Sequence, residues 1–143
     1  MFPFTLNYKI KLDNSLSKSD WEIVANNLRD KKIEDIELVD QELTFTSFFL
    51  FSNINNFDLM AGINKGVIYY KNGTFIYEVY MTTMVLFMLI FAIIIILISD
   101  NIYIGLIFPT FAFCVSFIIN YFGHKRFFKF LVNEISINQI KNN

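Results

Sequence analysis

The chain has 143 residues, a formal net charge of −1, 55% hydrophobic and 18% aromatic residues, and a mean hydropathy of +0.45. That length holds one domain and a membrane anchor and excludes two sizeable cores. Charge is uneven, with eight Lys/Arg against eleven Asp/Glu in residues 1–80 and four against two in 81–143, so the acidic front half lacks the basic stripe that a nucleic-acid backbone requires.

The opening MFPFTLNYKIKLD has neither the basic n-region nor the continuous apolar run of a signal peptide, so the front domain is expected to stay on the side of synthesis. Phe4, Leu6, Tyr8, Ile10 and Leu12 alternate with Thr5, Asn7, Lys9 and Lys11, the pattern of a half-buried strand. In SLSKSDWEIVANNLRD, Ser19 and Glu22 match a capping box, and Trp21, Val24 and Leu28 form one apolar face of a short helix. IEDIELV and ELTFTSFFLF then read as two strands turning near Asp40-Gln41, or as one long bent strand. Residues 52–63 read as loop, helix turn or strand. GVIYYKNGTFIYEVY places Asn72-Gly73 between two β-rich runs, a two-residue hairpin whose turn positions both need positive φ. The expectation for residues 1–80 is a cytoplasmic α+β domain, an antiparallel sheet with one helix packed on it.

Two features of this domain concern its surroundings. Only Met81-Thr82-Thr83 separates the last strand from a long apolar run, with no Gly/Ser linker, so the sheet should sit flush on a membrane face. The run FFLF offers Phe48, Phe49 and Phe51 to both faces of a strand, and one helix covers one face. Something else must cover the other.

From Tyr80 to Ser99, and again from Asn101 to Gly123, no charged residue occurs. Each stretch is about 20 residues, enough at 1.5 Å per residue for a hydrocarbon core of roughly 30 Å. Residues 81–122 are therefore expected to form a transmembrane helical hairpin, with spans over about 80–99 and 102–122, turning at Ser99-Asp100-Asn101. One span plus a re-entrant segment is the other possibility. Lys125, Arg126 and Lys129 follow the second span as a membrane-interface basic cluster, while the turn carries only Asp100. That asymmetry puts both termini in the cytoplasm. Tyr80, Tyr103 and Tyr121 fall near the expected interfaces.

Residues 123–143 read as a basic amphipathic C-terminal helix and tail. Phe127, Leu131 and Ile135 repeat at i, i+4, i+8, with Phe128 and Val132 beside them and Arg126, Lys129 and Asn133 on the other side. This helix could cover the open face of the sheet, lie in the headgroup layer or dock on a partner. Phe127, Phe128 and Leu131 thus join Phe48, Phe49 and Phe51 as a possible contact surface.

Chemistry-bearing constellations are sparse. Cys114 is the single cysteine and His124 the single histidine, the latter expected to be an interfacial residue beside Lys125. The carboxylates of EDIELVDQE fall at irregular spacings, unlike a metal loop, and the glycines at 62, 66, 73, 105 and 123 form no phosphate cradle. No catalytic residue, metal, cofactor or small-molecule substrate is expected. One pattern stands out in the second span: Gly105, Pro109, Ala112, Ser116, Asn120 and Gly123 recur at spacings of 4, 3, 4, 4 and 3, collecting the small and polar residues on a single stripe. In lipid such residues mark the contact face of a helix, here toward the first span or toward another subunit.

The order of parts, a strand-rich domain ending in YEVYM, two spans, then HKRFFK and an amphipathic helix, resembles small uncharacterised bacterial two-span membrane proteins with an N-terminal α+β domain. The resemblance implies a bacterial inner membrane and carries no activity. The functional expectation is a non-enzymatic accessory or assembly subunit of a larger bacterial inner-membrane protein complex. The alternatives are a stand-alone immunity or stress protein binding a toxin or lipid, and a small membrane enzyme.

Overall fold

The computed structural model describes residues 5–12, 14–31, 33, 35–46, 65–99 and 101–142. The elements run β1 (Thr5–Lys11), α1 (Lys18–Asp30), β2 (Asp35–Val39), β3 (Glu42–Thr46), β4 (Lys65–Lys71), β5 (Thr74–Tyr80), α2 (Thr82–Ser99) and α3 (Ile102–Asn142). The strands form one antiparallel sheet in the order β1-β5-β4-β3-β2, so α1 carries the chain from one sheet edge to the other. Among the described residues the architecture is α+β, with three helices and five strands.

Local chemistry places the turns. Asn72 and Gly73 have φ of 51° and 72°, and Lys71 faces Thr74 across the closed hairpin of β4 and β5. That is the geometry Asn-Gly supplies at low cost. Asp40, with φ of 53°, turns β2 into β3, so two strands form there rather than one bent strand. The FFLF segment and residues 52–63 lie outside the described residues.

The helix start differs from the Ser19–Glu22 expectation. Ser17 is the N-cap: its Oγ accepts from the Asp20 backbone N–H at 3.2 Å, and its own N–H donates to Asp20 Oδ2 at 2.8 Å. Both pairs have capping-box spacing. In the earlier one, which forms, Asp20 also meets the end of α3, and Trp21, Val24 and Leu28 turn inward.

One face of the sheet is the core. Leu6 and Tyr8 of β1, Phe75, Tyr77 and Val79 of β5, Ile68 of β4 and Leu43 and Phe45 of β3 are buried together. Ile10 departs from the expected alternation and is 38% exposed, toward the far end of edge strand β1. Gly66 faces Phe45 directly across β3 and β4, and a Cβ there would overlap the Phe45 ring. Glycine is thus required by close approach. Gly66→Ala should cost about 1–3 kcal/mol by overpacking. The cost should shrink in a Phe45→Leu background, read as a double-mutant cycle in chemical denaturation.

The C-terminal helix corrects two expectations. It is not a separate element: α3 runs unbroken for 41 residues, so the expected boundary at 122/123 falls inside one helix. Nor does it cover the face opposite α1. Phe75 packs against Trp21 of α1 at 6.3 Å and against Phe128 of α3 at 5.6 Å, so both helices lie on the same face. Phe127, Phe128, Leu131 and Ile135 are buried in the sheet core, and the first three therefore meet the chain's own strands instead of an outside partner. The opposite face carries a polar row in which Asn7, Tyr69 and Tyr80 all donate to the Glu78 carboxylate.

The helices α2 and α3 pack as a hairpin. Asn101 caps α3, its Oδ1 accepting from the Tyr103 N–H at 3.0 Å, and Ser99 Oγ donates to the Ile95 carbonyl at 2.7 Å. Asp100 lies outside the described residues. Among the described residues, one helix, α3, is long and apolar enough to cross a membrane, and its most apolar stretch is 11% buried; α2 is apolar but shorter.

Candidate functional site

Where α3 leaves the hairpin and meets the sheet, a polar cluster is sealed inside aromatic packing. Sequence reasoning missed it by placing His124 at an interface. The structure buries His124 completely, with Nδ1 2.9 Å from the Tyr77 hydroxyl, which is itself buried. Tyr8, from the neighbouring strand, donates to the Tyr121 backbone carbonyl at 2.8 Å. Phe128 stacks on Tyr77 and tilts against Tyr8, and Phe127 meets Tyr77 edge-on. Met81 and Met84 extend the same core toward the start of α2.

A signal for His124 exists in the sequence. Continuing the stripe from Asn120 by four residues gives His124 rather than Gly123, then Phe127, Leu131 and Ile135. The spacings 4, 3, 4, 4 from Gly105 to Asn120 repeat from Asn120 to Ile135. One continuous inward stripe belongs to one continuous helix.

Burial holds the Tyr77 hydroxyl well above its ordinary pKa, with the nearby Tyr8 adding to the effect; burial does the same to Tyr8. Both phenols therefore stay protonated at neutral pH and act as hydrogen-bond donors or acceptors, not as anions. The pair can hold α3 on the sheet in one rotational register. Tyr77→Phe keeps the ring packing and removes the hydroxyl partner of Nδ1. The expected loss is about 1–3 kcal/mol, measured by thermal or chemical unfolding.

A second tie lies at the other end of the docked helix. Asp20 accepts from Asn138 Nδ2 at 2.8 Å and Gln139 Nε2 at 3.3 Å, besides its bonds to Ser17. Burial opposes its charge, but these hydrogen bonds outweigh it and lower the pKa below 3.8. A folded-state pKa below the unfolded value stabilises the fold above about pH 4 and ceases to do so as pH falls through the folded value. Acid titration of stability should therefore show a loss in that window, and Asp20→Asn should flatten it.

The remaining sequence candidates fall as follows. Gly105 sits against α2, where a Cβ would overlap the Ile96 side chain and come within 3.1 Å of Ile96 Cα. Pro109 is buried; Ala112, Ser116, Asn120 and Gly123 are half-buried. Asn120 Nδ2 donates to the Ser116 carbonyl of its own helix at 2.8 Å. Lys125, Arg126 and Lys129 are exposed. Phe48, Phe49 and Phe51 lie outside the described residues. A shallow cleft along the β2 edge is lined by Asp35, Glu37, Thr44 and Thr46 with Ile36 and Phe45. Among the described residues, no three His, Cys, Asp or Glu side chains gather as a metal group.

Fold and junction together define an α+β sheet domain fixed to an apolar helical hairpin by one continuous helix. No protein-family model, curated protein or solved structure matches the chain.

Proposed function

We propose that the chain is a two-span protein of the bacterial inner membrane, with both termini cytoplasmic, serving as a non-enzymatic accessory or assembly subunit of a larger membrane complex. The observation that carries the reading is the continuity of α3. Its first half is apolar and outward-facing, as in Ile107 and Phe111, both 68% exposed, while its second half is built into the sheet core through Leu131 and Ile135. With its one proline, Pro109, in the apolar half and none between there and the sheet, such a helix carries the domain at a defined height on the membrane face. A fixed platform suits a part that positions other proteins better than it suits a swinging sensor. The resemblance to small bacterial two-span proteins supports the compartment, and Lys125, Arg126 and Lys129 support the orientation through the positive-inside bias.

One observation favours the stand-alone immunity or stress reading. Gly105 is engaged with Ile96 inside the hairpin, so that part of the stripe is satisfied within the chain. The two readings separate in a gentle-detergent pull-down of tagged protein with Ser116→Leu and Asn120→Leu beside it. The subunit reading expects a discrete partner in constant ratio, lost in the variants. Wild-type protein eluting alone, with variants that only lose stability, overturns it in favour of the stand-alone reading.

A further inference from the structure

The structure holds the basic flank of α3 in a fixed direction and the two-span reading gives it a depth, and from these we infer that Lys125, Arg126 and Lys129 form a binding site for the headgroups of anionic phospholipids. The inference rests on the two-span reading and names the lipid class that the membrane-proximal surface selects. In the turns after the apolar stretch, the inner side of α3 is filled by His124, Phe127 and Phe128, all buried, so the rod cannot rotate. The three cations are thereby held outward, at i, i+1 and i+4.

Depth follows from the rise of the helix. With the hydrocarbon boundary at Tyr121, which the expected span implies, Lys125 lies about 6 Å and Lys129 about 12 Å beyond it. The headgroup layer is roughly 5–8 Å thick on each side. Lys125 and Arg126 therefore stand within it, and Lys129 reaches it with its four-carbon stem. The Lys125 ammonium is 5.8 Å from the centre of the Tyr121 ring, one turn toward the apolar stretch, so its side chain already leans to the boundary. Exposed Phe122 on the same turns offers acyl-chain contact.

Charge complementarity points to an anionic ligand. The helix carries no acidic residue from Ile102 to Asn133, and Glu134 is half-buried. Among the described residues no ion pair engages the three cations. Lys65, facing Tyr80 at the hairpin-proximal end of β4, adds an exposed positive charge at that end of the sheet. Phosphate oxygens of phosphatidylglycerol or cardiolipin would satisfy this set by charge-assisted hydrogen bonds.

The test uses the full chain in nanodiscs of phosphatidylcholine mixed with phosphatidylglycerol, with spin-labelled forms of each lipid reporting which is held at the protein surface. Wild type should retain phosphatidylglycerol over phosphatidylcholine by a factor on the order of five or more, falling as salt rises. The combined variant Lys125→Gln, Arg126→Gln, Lys129→Gln should lose that preference. A charge-matched control, Lys9→Gln, Lys11→Gln, Lys71→Gln, alters exposed cations on the strands leading to the far hairpin and should keep it. An inserted wild type with no preference, or equal loss in both combined variants, overturns the headgroup site while leaving the two-span reading intact. A chain that remains in the aqueous phase on vesicle flotation overturns the two-span reading and the site with it.

Discussion

Removal of residues 123–143 is expected to unfold the sheet domain even though all five strands and α1 remain. The deleted stretch carries Phe127 and Phe128, 6% and 5% exposed, and Leu131 and Ile135, 0% exposed. Burial of one such side chain contributes about 1.5–3 kcal/mol, so the four together contribute roughly 6–12 kcal/mol. A domain of this kind has about 5–15 kcal/mol of net stability. Deletion also uncovers Phe75 and Tyr77 on the sheet and removes His124, the hydrogen-bond partner of Tyr77. A shorter truncation, losing only 138–143, removes the bonds from Asn138 and Gln139 to Asp20 but leaves the apolar contacts. It should cost about 1–3 kcal/mol. Circular dichroism and limited proteolysis of the two truncations distinguish the cases. A folded, protease-resistant sheet in the longer deletion would show that α3 is an accessory to the domain and not part of its core.

How far the fold was legible depended on whether a feature is set locally. Asn72-Gly73 announced its hairpin because the backbone of those two residues favours positive φ without help from the rest of the chain. Trp21, Val24 and Leu28 declared an inward face by spacing alone, and all three are buried. The helix cap was another matter. Ser17–Asp20 and Ser19–Glu22 have the same spacing, and the pair that forms is the one whose Asp20 also accepts from Asn138 and Gln139, more than a hundred residues away. Which face of the sheet the last helix covers is equally non-local. It is decided at Phe75, whose ring takes Trp21 on one side and Phe128 on the other.

The junction was legible only in part. The amphipathic pattern of Phe127, Leu131 and Ile135 was visible, and so was the stripe from Gly105 to Asn120. Taking Gly123 as the last step ended the stripe one residue early and set His124 outside it. A polar residue next to Lys125 and Arg126 reads as surface in a linear sequence. Its burial depends on Tyr77 offering a hydroxyl from a strand 47 positions earlier. Propensity and hydropathy hold no record of that pairing.

The same rod makes a second large effect calculable. Inserting one alanine between Phe122 and Gly123 should disrupt the molecule nearly as much as deletion, although no native residue is lost. An added helical residue turns everything beyond it by about 100° and advances it by about 1.5 Å. Upstream, α3 is registered on α2 by the close approach of Gly105 to Ile96 and by Phe91 against Phe108. Downstream it is registered on the sheet by the His124–Tyr77 bond and the buried set through Ile135. With Met81 as the only residue between β5 and α2, the hairpin has little freedom to follow the rotation. One registration must therefore fail, at a cost of roughly 5 kcal/mol or more if the sheet side gives way. A flexible Gly/Ser run at the same place should do less harm than the single alanine, because it lets each half keep its own register. Thermal unfolding of the wild type and both insertions in one detergent reads the order directly. If the single alanine is tolerated as well as the flexible run, the two halves of α3 are not registered on one another, and the fixed-platform reading loses its support.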